Sequence, residues 1–150
     1  MPRSIVTKSL AAAAVMGLFA AHAATAQQTP KTTSHFVYFS PGGDALTPED
    51  DDHIREVGGM MHGNAAFFAT IIGKTDSVGS EDYNKHLAQR RSIGVFEALV
   101  YNNKVPENRV EMCWTGEHLP FISTADEVAE SQNRMVEIIV SDAPSSYCGR

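Results

Sequence analysis

One arginine, standing where an apolar side chain belongs, constrains this chain more than any other residue. Hydrophobic spacing predicts a helix from Glu81 to about Asn102. At 100° per residue, Leu87, Gly94, Ala98 and Val95 fall on one apolar stripe. Arg91 lies about 40° from Leu87, inside that stripe, with Asn84 beside it, whereas Arg90 points away. A guanidinium on a packed face needs anionic or hydrogen-bonding partners, because a buried charge without them is strongly destabilising. The nearest acid is Asp76, in the preceding turn Gly73-Lys74-Thr75-Asp76-Ser77-Val78-Gly79. Either Asp76 and Arg91 close on each other as a structural pair, or they frame a site for a ligand that carries both charges.

The flanking pattern predicts an α/β (α+β) two-layer sandwich, ordered β-α-β-α-β-(α)-β around a mixed four-stranded sheet. Phe36-Val37-Tyr38-Phe39 reads as a first strand, ended by Pro41-Gly42-Gly43. Thr47-Pro48-Glu49-Asp50 announces a helix to about Met61, with Thr47 as N-cap and Asp50 completing a capping box. Ala65–Ile72 is apolar enough for a central strand. Ser80 caps the long helix, and Glu81 and Asp82 favour its positive end. Arg109–Thr115 and Arg134–Val140 read as the third and fourth strands, with a short helix over Asp126–Gln132 between them. Helical crossovers make at least some strand pairs parallel.

Residues 1–26 have the form of a signal peptide. Arg3 and Lys8 precede an apolar run from Leu10 to Ala21, and Ala24-Thr25-Ala26 fits a cleavage site. The run is about a dozen residues, short of the roughly 18 to 20 that span a membrane. With no cysteine near the cleavage point, the expectation is a soluble exported chain without a lipid anchor, free in the periplasm or associated with the outer membrane or cell wall. Residues 27–34 read as a flexible leader, 35–142 as one domain and 143–150 as a C-terminal tail. Processing would leave ten basic against eighteen acidic residues, a net charge of −8. That balance argues against nucleic acid or an anionic membrane surface as partner. Cys113 and Cys148 are an even pair in an exported chain, which suggests a disulfide; the rival is a buried Cys113 and a free thiol on the tail.

Other chemistry finds little support. The acidic run Glu49-Asp50-Asp51-Asp52 points its carboxylates in different directions on a helix and serves the dipole rather than a metal. The histidines show no ligating spacing, and no nucleophile motif is present, so neither a metal, a cofactor nor catalysis is expected. Trp114 reads as core.

Taken together, Gly73-Lys74-Thr75-Asp76-x-x-Gly79-x-x-x-Tyr83-Asn84-x-x-Leu87-Ala88-x-x-Arg91, then Gly116-Glu117-x-x-Pro120, then Asn133-Arg134-Met135-Val136-Glu137-Ile138, resembles the C-terminal peptidoglycan-binding domain of the OmpA/MotB/Pal family. The likeness covers roughly residues 35–140. It departs at Lys74, where the family usually has histidine, at Met135, where a second arginine is usual, and at Phe39-Ser40-Pro41, which replaces a Phe-Asp pattern. The resemblance implies non-catalytic binding of the peptidoglycan stem peptide at diaminopimelate, with Asp76 meeting an ammonium and Arg91 a carboxylate. Thr75, Asn84 and Arg134 are further candidate contacts. Their alternatives are a turn residue, a loop organiser and a charge partner for a nearby acid. A rival reading keeps the fold but makes the chain an interaction module for another envelope protein, with a closed Asp76–Arg91 pair.

Overall fold

The computed structural model describes residues 31–144 and 147–148; the expected signal segment and the first half of the leader lie outside them. Four strands and two helices follow in the order β1 Thr32–Tyr38, α1 Pro48–Gly63, β2 Phe68–Lys74, α2 Glu81–Glu97, β3 Val110–Gly116 and β4 Met135–Ser141. The sheet order is β1-β4-β2-β3. Strand β4 runs antiparallel to both β1 and β2, whereas β2 and β3 are parallel and joined through α2. The sheet is therefore mixed, as the element order predicts.

Local chemistry sets the element ends. Thr47 accepts from the Asp50 N–H at 3.2 Å while Asp50 accepts from the Thr47 N–H at 2.8 Å, which satisfies two orphan donors of α1 reciprocally. Ser80 accepts from the Tyr83 N–H at 3.2 Å and opens α2. After Glu97, α2 runs into a π-helical turn, Ala98–Asn102, which the sequence reading merges with the helix. Strand β1 begins at Thr32, within the stretch read as leader. Polar Thr32 and Ser34 pair with Ser141 and Ile139 of β4, the Lys31 N–H donates to Asp142 Oδ1 at 2.9 Å, and the Asp142 N–H donates to the Lys31 carbonyl at 3.3 Å.

Segment Asp126–Gln132 is not the short helix that its composition suggests. It holds a turn at Asp126–Glu127 and a single 3-10 turn at Ser131–Asn133. Glu127 adopts φ +56°, incompatible with a right-handed helix, and the Val128 N–H is taken by the Ser77 hydroxyl at 3.2 Å.

One face of the sheet packs on the helices. Val37, Ala69, Ile71, Val136, Ile138 and Val140 meet Ile54, Val57 and Met61 of α1 and Val95 of α2 in one buried core. Gly73 lets α2 approach β2 closely. A Cβ there would lie 2.2 Å from the Ala88 carbonyl oxygen and 2.3 Å from Ser92 Oγ. On the edge strand, Cys113 is disulfide-bonded to Cys148 with Cα atoms 5.5 Å apart, so the bridged reading holds. Closing a loop with a sequence separation of 35 restricts the unfolded chain by about 3 to 4 kcal/mol.

His35 of β1 faces α1, its ring 5.5 Å from that of His53, and its Nε2 is buried without a partner among the described residues. Burial, then the His53 charge, lowers its pKa from 6.5, with Glu56 opposing. A histidine whose folded pKa is depressed contributes stability above its unfolded value and loses it as pH falls toward the folded value. Urea unfolding of the protein should therefore show declining stability below pH about 6.5, and His35→Phe should flatten that decline. Equal pH slopes in the two proteins would refute the assignment.

Candidate functional site

The C-terminal end of β2, the first turn of α2 and the loop after β1 converge on a cavity of about 320 Å³. Asp76 and Arg134 supply its charge, Val78, Leu87 and Ala129 its apolar wall, and Tyr83 and Asn84 a polar side. Gly79, at φ +99°, makes the turn that brings the α2 N-terminus round to face Asp76.

Asp76 and Arg91 are not an ion pair. Asp76 Oδ2 accepts from Arg134 Nη1 at 3.0 Å, and both side chains are nearly buried. No described residue donates a hydrogen bond to the other oxygen, Asp76 Oδ1. Arg134 also donates from Nε to the Phe39 carbonyl at 3.2 Å, which fixes its fork on the floor of the cavity. The alternative of Arg134 as charge partner to a nearby acid is what forms, and the closed Asp76–Arg91 pair is not.

Arg91 is fully buried. Its Nε donates to the Gly43 carbonyl at 2.8 Å, Nη1 to the Lys74 carbonyl at 2.9 Å and Nη2 to the Ser40 carbonyl at 3.3 Å. Its Cζ lies 5.0 Å from the centre of the Phe39 ring. Burial pushes its pKa down to about 10, while Asp76 raises and Arg134 lowers it, so it remains charged at neutral pH. The partners demanded by a buried guanidinium are thus carbonyls, two from the loop after β1 and one from the end of β2. Arg91 ties the Ser40–Gly43 loop to the end of β2, and that loop contributes Pro41 and Gly42 to the cavity wall. The departure at Phe39-Ser40-Pro41 therefore does not remove this loop from the site.

The remaining candidates sit close by. Asn84 is buried and donates from Nδ2 to the Val78 carbonyl at 3.2 Å and to Glu117 Oε2 at 2.6 Å, so it organises two loops while lining the cavity. Thr75 is buried beside Asp76. Its N–H donates to the Gly116 carbonyl at 2.9 Å, but its hydroxyl has no partner among the described residues. Lys74 donates from Nζ to the Leu119 carbonyl at 2.9 Å and so anchors the Gly116–Pro120 loop. Sequence reasoning did not find Val78 and Ala129 as walls, and it used Tyr83 only as a motif residue. Tyr83 could have been suspected as a half-exposed aromatic one helical turn before Leu87.

Among the described residues no group of three or more histidine, cysteine, aspartate or glutamate side chains is placed to hold a metal. No helix among them is long and apolar enough to cross a membrane. A larger cavity of about 840 Å³ lies near the start of β2, lined by Phe68, Phe96, Arg109 and Pro144 among others. Arg109 there donates to the carbonyls of Met61, Asn64 and Phe67, each at 2.8 Å, and closes the α1–β2 connection. Glu107 and Glu111 also line this larger cavity. What distinguishes the smaller one is a nearly buried ion pair of opposite charges, Asp76 and Arg134, on its wall.

Residues 38–134 match the OmpA family, and the chain belongs to it. The peptidoglycan-associated lipoprotein of Pseudomonas putida is 32% identical over 111 residues, which is 71% of this chain and 61% of that protein. Outer membrane porin F of Pseudomonas fluorescens is 30% identical over 95 residues, 63% of this chain but 29% of the porin. The chain thus spans under a third of the porin and under two thirds of the lipoprotein. Among solved structures, the peptidoglycan-associated lipoprotein of Burkholderia pseudomallei matches with a TM-score of 0.64 at 24% identity, covering 70% of this chain and 88% of that one. The periplasmic domain of Helicobacter pylori MotB matches with a TM-score of 0.62 at 17% identity, covering 80% and 82%. These two likenesses establish the mixed-sheet fold.

Proposed function

We propose that the chain is a non-catalytic, envelope-located binding protein for peptidoglycan, and that the Asp76 cavity takes the diaminopimelate of the stem peptide. The observation that carries this reading is the half-engaged Asp76–Arg134 pair at the bottom of a cavity large enough for one amino-acid terminus. A free amino-acid terminus is a local zwitterion. Its ammonium can join Asp76 at Oδ1, and its carboxylate can take N–H groups that Arg134 leaves unused, with the pair itself intact. A ligand with one charge adds a net charge to a nearly buried, already neutral pair, whereas a zwitterion gives each pole its opposite and leaves the site neutral. The Thr75 hydroxyl adds one more buried polar atom in want of a partner. Arg91, fully buried behind the cavity, serves by holding its wall through three carbonyl bonds. The likeness to the peptidoglycan-associated lipoprotein of Pseudomonas putida supports peptidoglycan as the polymer that is bound.

One such site is small, so single-site binding is weak, and retention comes from a polymer offering many stems. In a co-sedimentation assay with purified sacculi, the wild-type protein should pellet. Asp76→Ala should stay in the supernatant, a loss of at least about tenfold in affinity, since it removes a charge-assisted bond worth roughly 1.5 to 3 kcal/mol. Equal pelleting of a folded Asp76→Ala protein would contradict the reading.

A further inference from the structure

The segment between Ile122 and Asn133 is a strap fixed at two places. At its base, Asn133 is buried and exchanges two hydrogen bonds with the Ile122 backbone, both at 2.7 Å. Near its middle it meets the Asp76 turn. Ser77 Oγ donates to the Ala125 carbonyl at 2.9 Å and accepts from the Val128 N–H at 3.2 Å. The Glu127 N–H donates to the Ser77 carbonyl at 3.1 Å, and the Gly79 N–H donates to Glu127 Oε2 at 3.1 Å.

These bonds join residues about 50 positions apart and reach the turn immediately after Asp76. The next residue of the strap, Ala129, is a wall of the cavity, and the strap ends at Arg134. Residues 125–129 are solvent-exposed and bring no side chain to the core, so little besides these hydrogen bonds holds this part down. Glu127 sits at φ +56°, a left-handed backbone that disfavours a non-glycine residue and persists only where the surroundings enforce it.

Resting on the peptidoglycan reading above, we propose that Ser77 and Glu127 are positioning residues that latch this strap shut and thereby complete the ligand cavity. They touch neither charge of the pair. They hold the Asp76 turn and the Ala129 wall in one arrangement, so that the binding-competent cavity is the populated one. Releasing the latch lowers the competent fraction, and the apparent affinity falls in proportion.

The test is a titration with a soluble muropeptide carrying a diaminopimelate stem, combined with amide hydrogen exchange on the same proteins. Ser77→Ala removes both hydroxyl bonds and should weaken binding about tenfold. Ser77→Thr, which keeps the hydroxyl, should restore it. Glu127→Gly relieves the left-handed backbone but removes the acceptor for Gly79, so exchange at the Gly79 amide should accelerate. Glu127→Gln keeps a carbonyl acceptor and should protect it. Melting temperatures should stay at the wild-type value, because the strap contributes little core. Wild-type affinity in Ser77→Ala, or unchanged Gly79 exchange in Glu127→Gly, would overturn the latch. Failure of the wild-type protein to bind the muropeptide would instead overturn the ligand reading, and exchange at Gly79 would still judge the latch.

Discussion

Arg91→Leu should destabilise the domain by about 3 to 5 kcal/mol and abolish muropeptide binding as a consequence. Leucine matches the apolar stripe of α2 on which Arg91 lies, so periodicity alone would predict a gain. The structure predicts a large loss, because the carbonyls of Gly43, Lys74 and Ser40 lose their guanidinium bonds together. Of the three, Ser40 keeps another donor, the Gly43 N–H at 3.0 Å. Two of them belong to the loop after β1, which has no other hydrogen bond to α2's buried face among those described, and that loop walls the cavity through Pro41 and Gly42. Arg91→Lys should recover little, since one ammonium cannot reproduce a planar fork aimed at three acceptors and stacked near Phe39. Urea unfolding checks this directly. A variant as stable as wild type would mean that Arg91 is held for the ligand alone.

A second large effect is expected at Gly73. Its backbone lies against α2 so closely that the methyl of Gly73→Ala would sit 2.2 Å from the Ala88 carbonyl oxygen. That atom is helix backbone, not the end of a flexible side chain, so α2 must move as a body. Overpacking of this kind typically removes about 1 to 3 kcal/mol, and the rigid obstacle places this case at or above the upper end. The consequence is also functional. Strand β2 delivers Asp76 and α2 delivers Asn84 and Leu87, so a shifted α2 opens the cavity from one side. Gly73→Ala should lower the melting temperature by roughly 10 °C and weaken sacculus binding more than the stability loss alone explains. An unchanged melting temperature would show that the helix–strand contact is looser than described.

The parts of this molecule legible in its sequence are those written in local chemistry. The capping box at Thr47 and Asp50, the cap at Ser80 and the apolar stripe through Leu87 and Val95 each lie within a few residues of the element they define, and each forms as read. The buried arginine was also legible, because an apolar period interrupted by a charge is a local signal. Its partners were not. Carbonyls carry no side-chain identity, so nothing in the sequence marks Ser40 and Gly43 as acceptors some 50 residues from Arg91. The choice of Arg134 over Arg91 as the partner of Asp76 is likewise a tertiary fact, made by β4 lying beside β2 in the sheet. Segment Asp126–Gln132 fails as a helix for a related reason. Its own propensity is overridden by Ser77, which captures its backbone groups from outside. At the edge strand, Thr32-Thr33-Ser34 resembles a leader because all three residues are exposed and no apolar alternation marks the strand's start.

The central claim is that the free carboxylate oxygen of Asp76 receives an ammonium. The most direct measurement is calorimetric titration of the protein with a muropeptide whose diaminopimelate amino group is free, set beside the same muropeptide with that group acetylated. Acetylation keeps the carboxylate and removes the positive charge. A stem with hydrogen in place of that amino group, which adds no bulk, serves as the size control and should also fail to bind. Measurable binding of the free amine and none of the acetylated form is the expected result. Equal affinity for both would show that Asp76 is not the pole that reads this ligand.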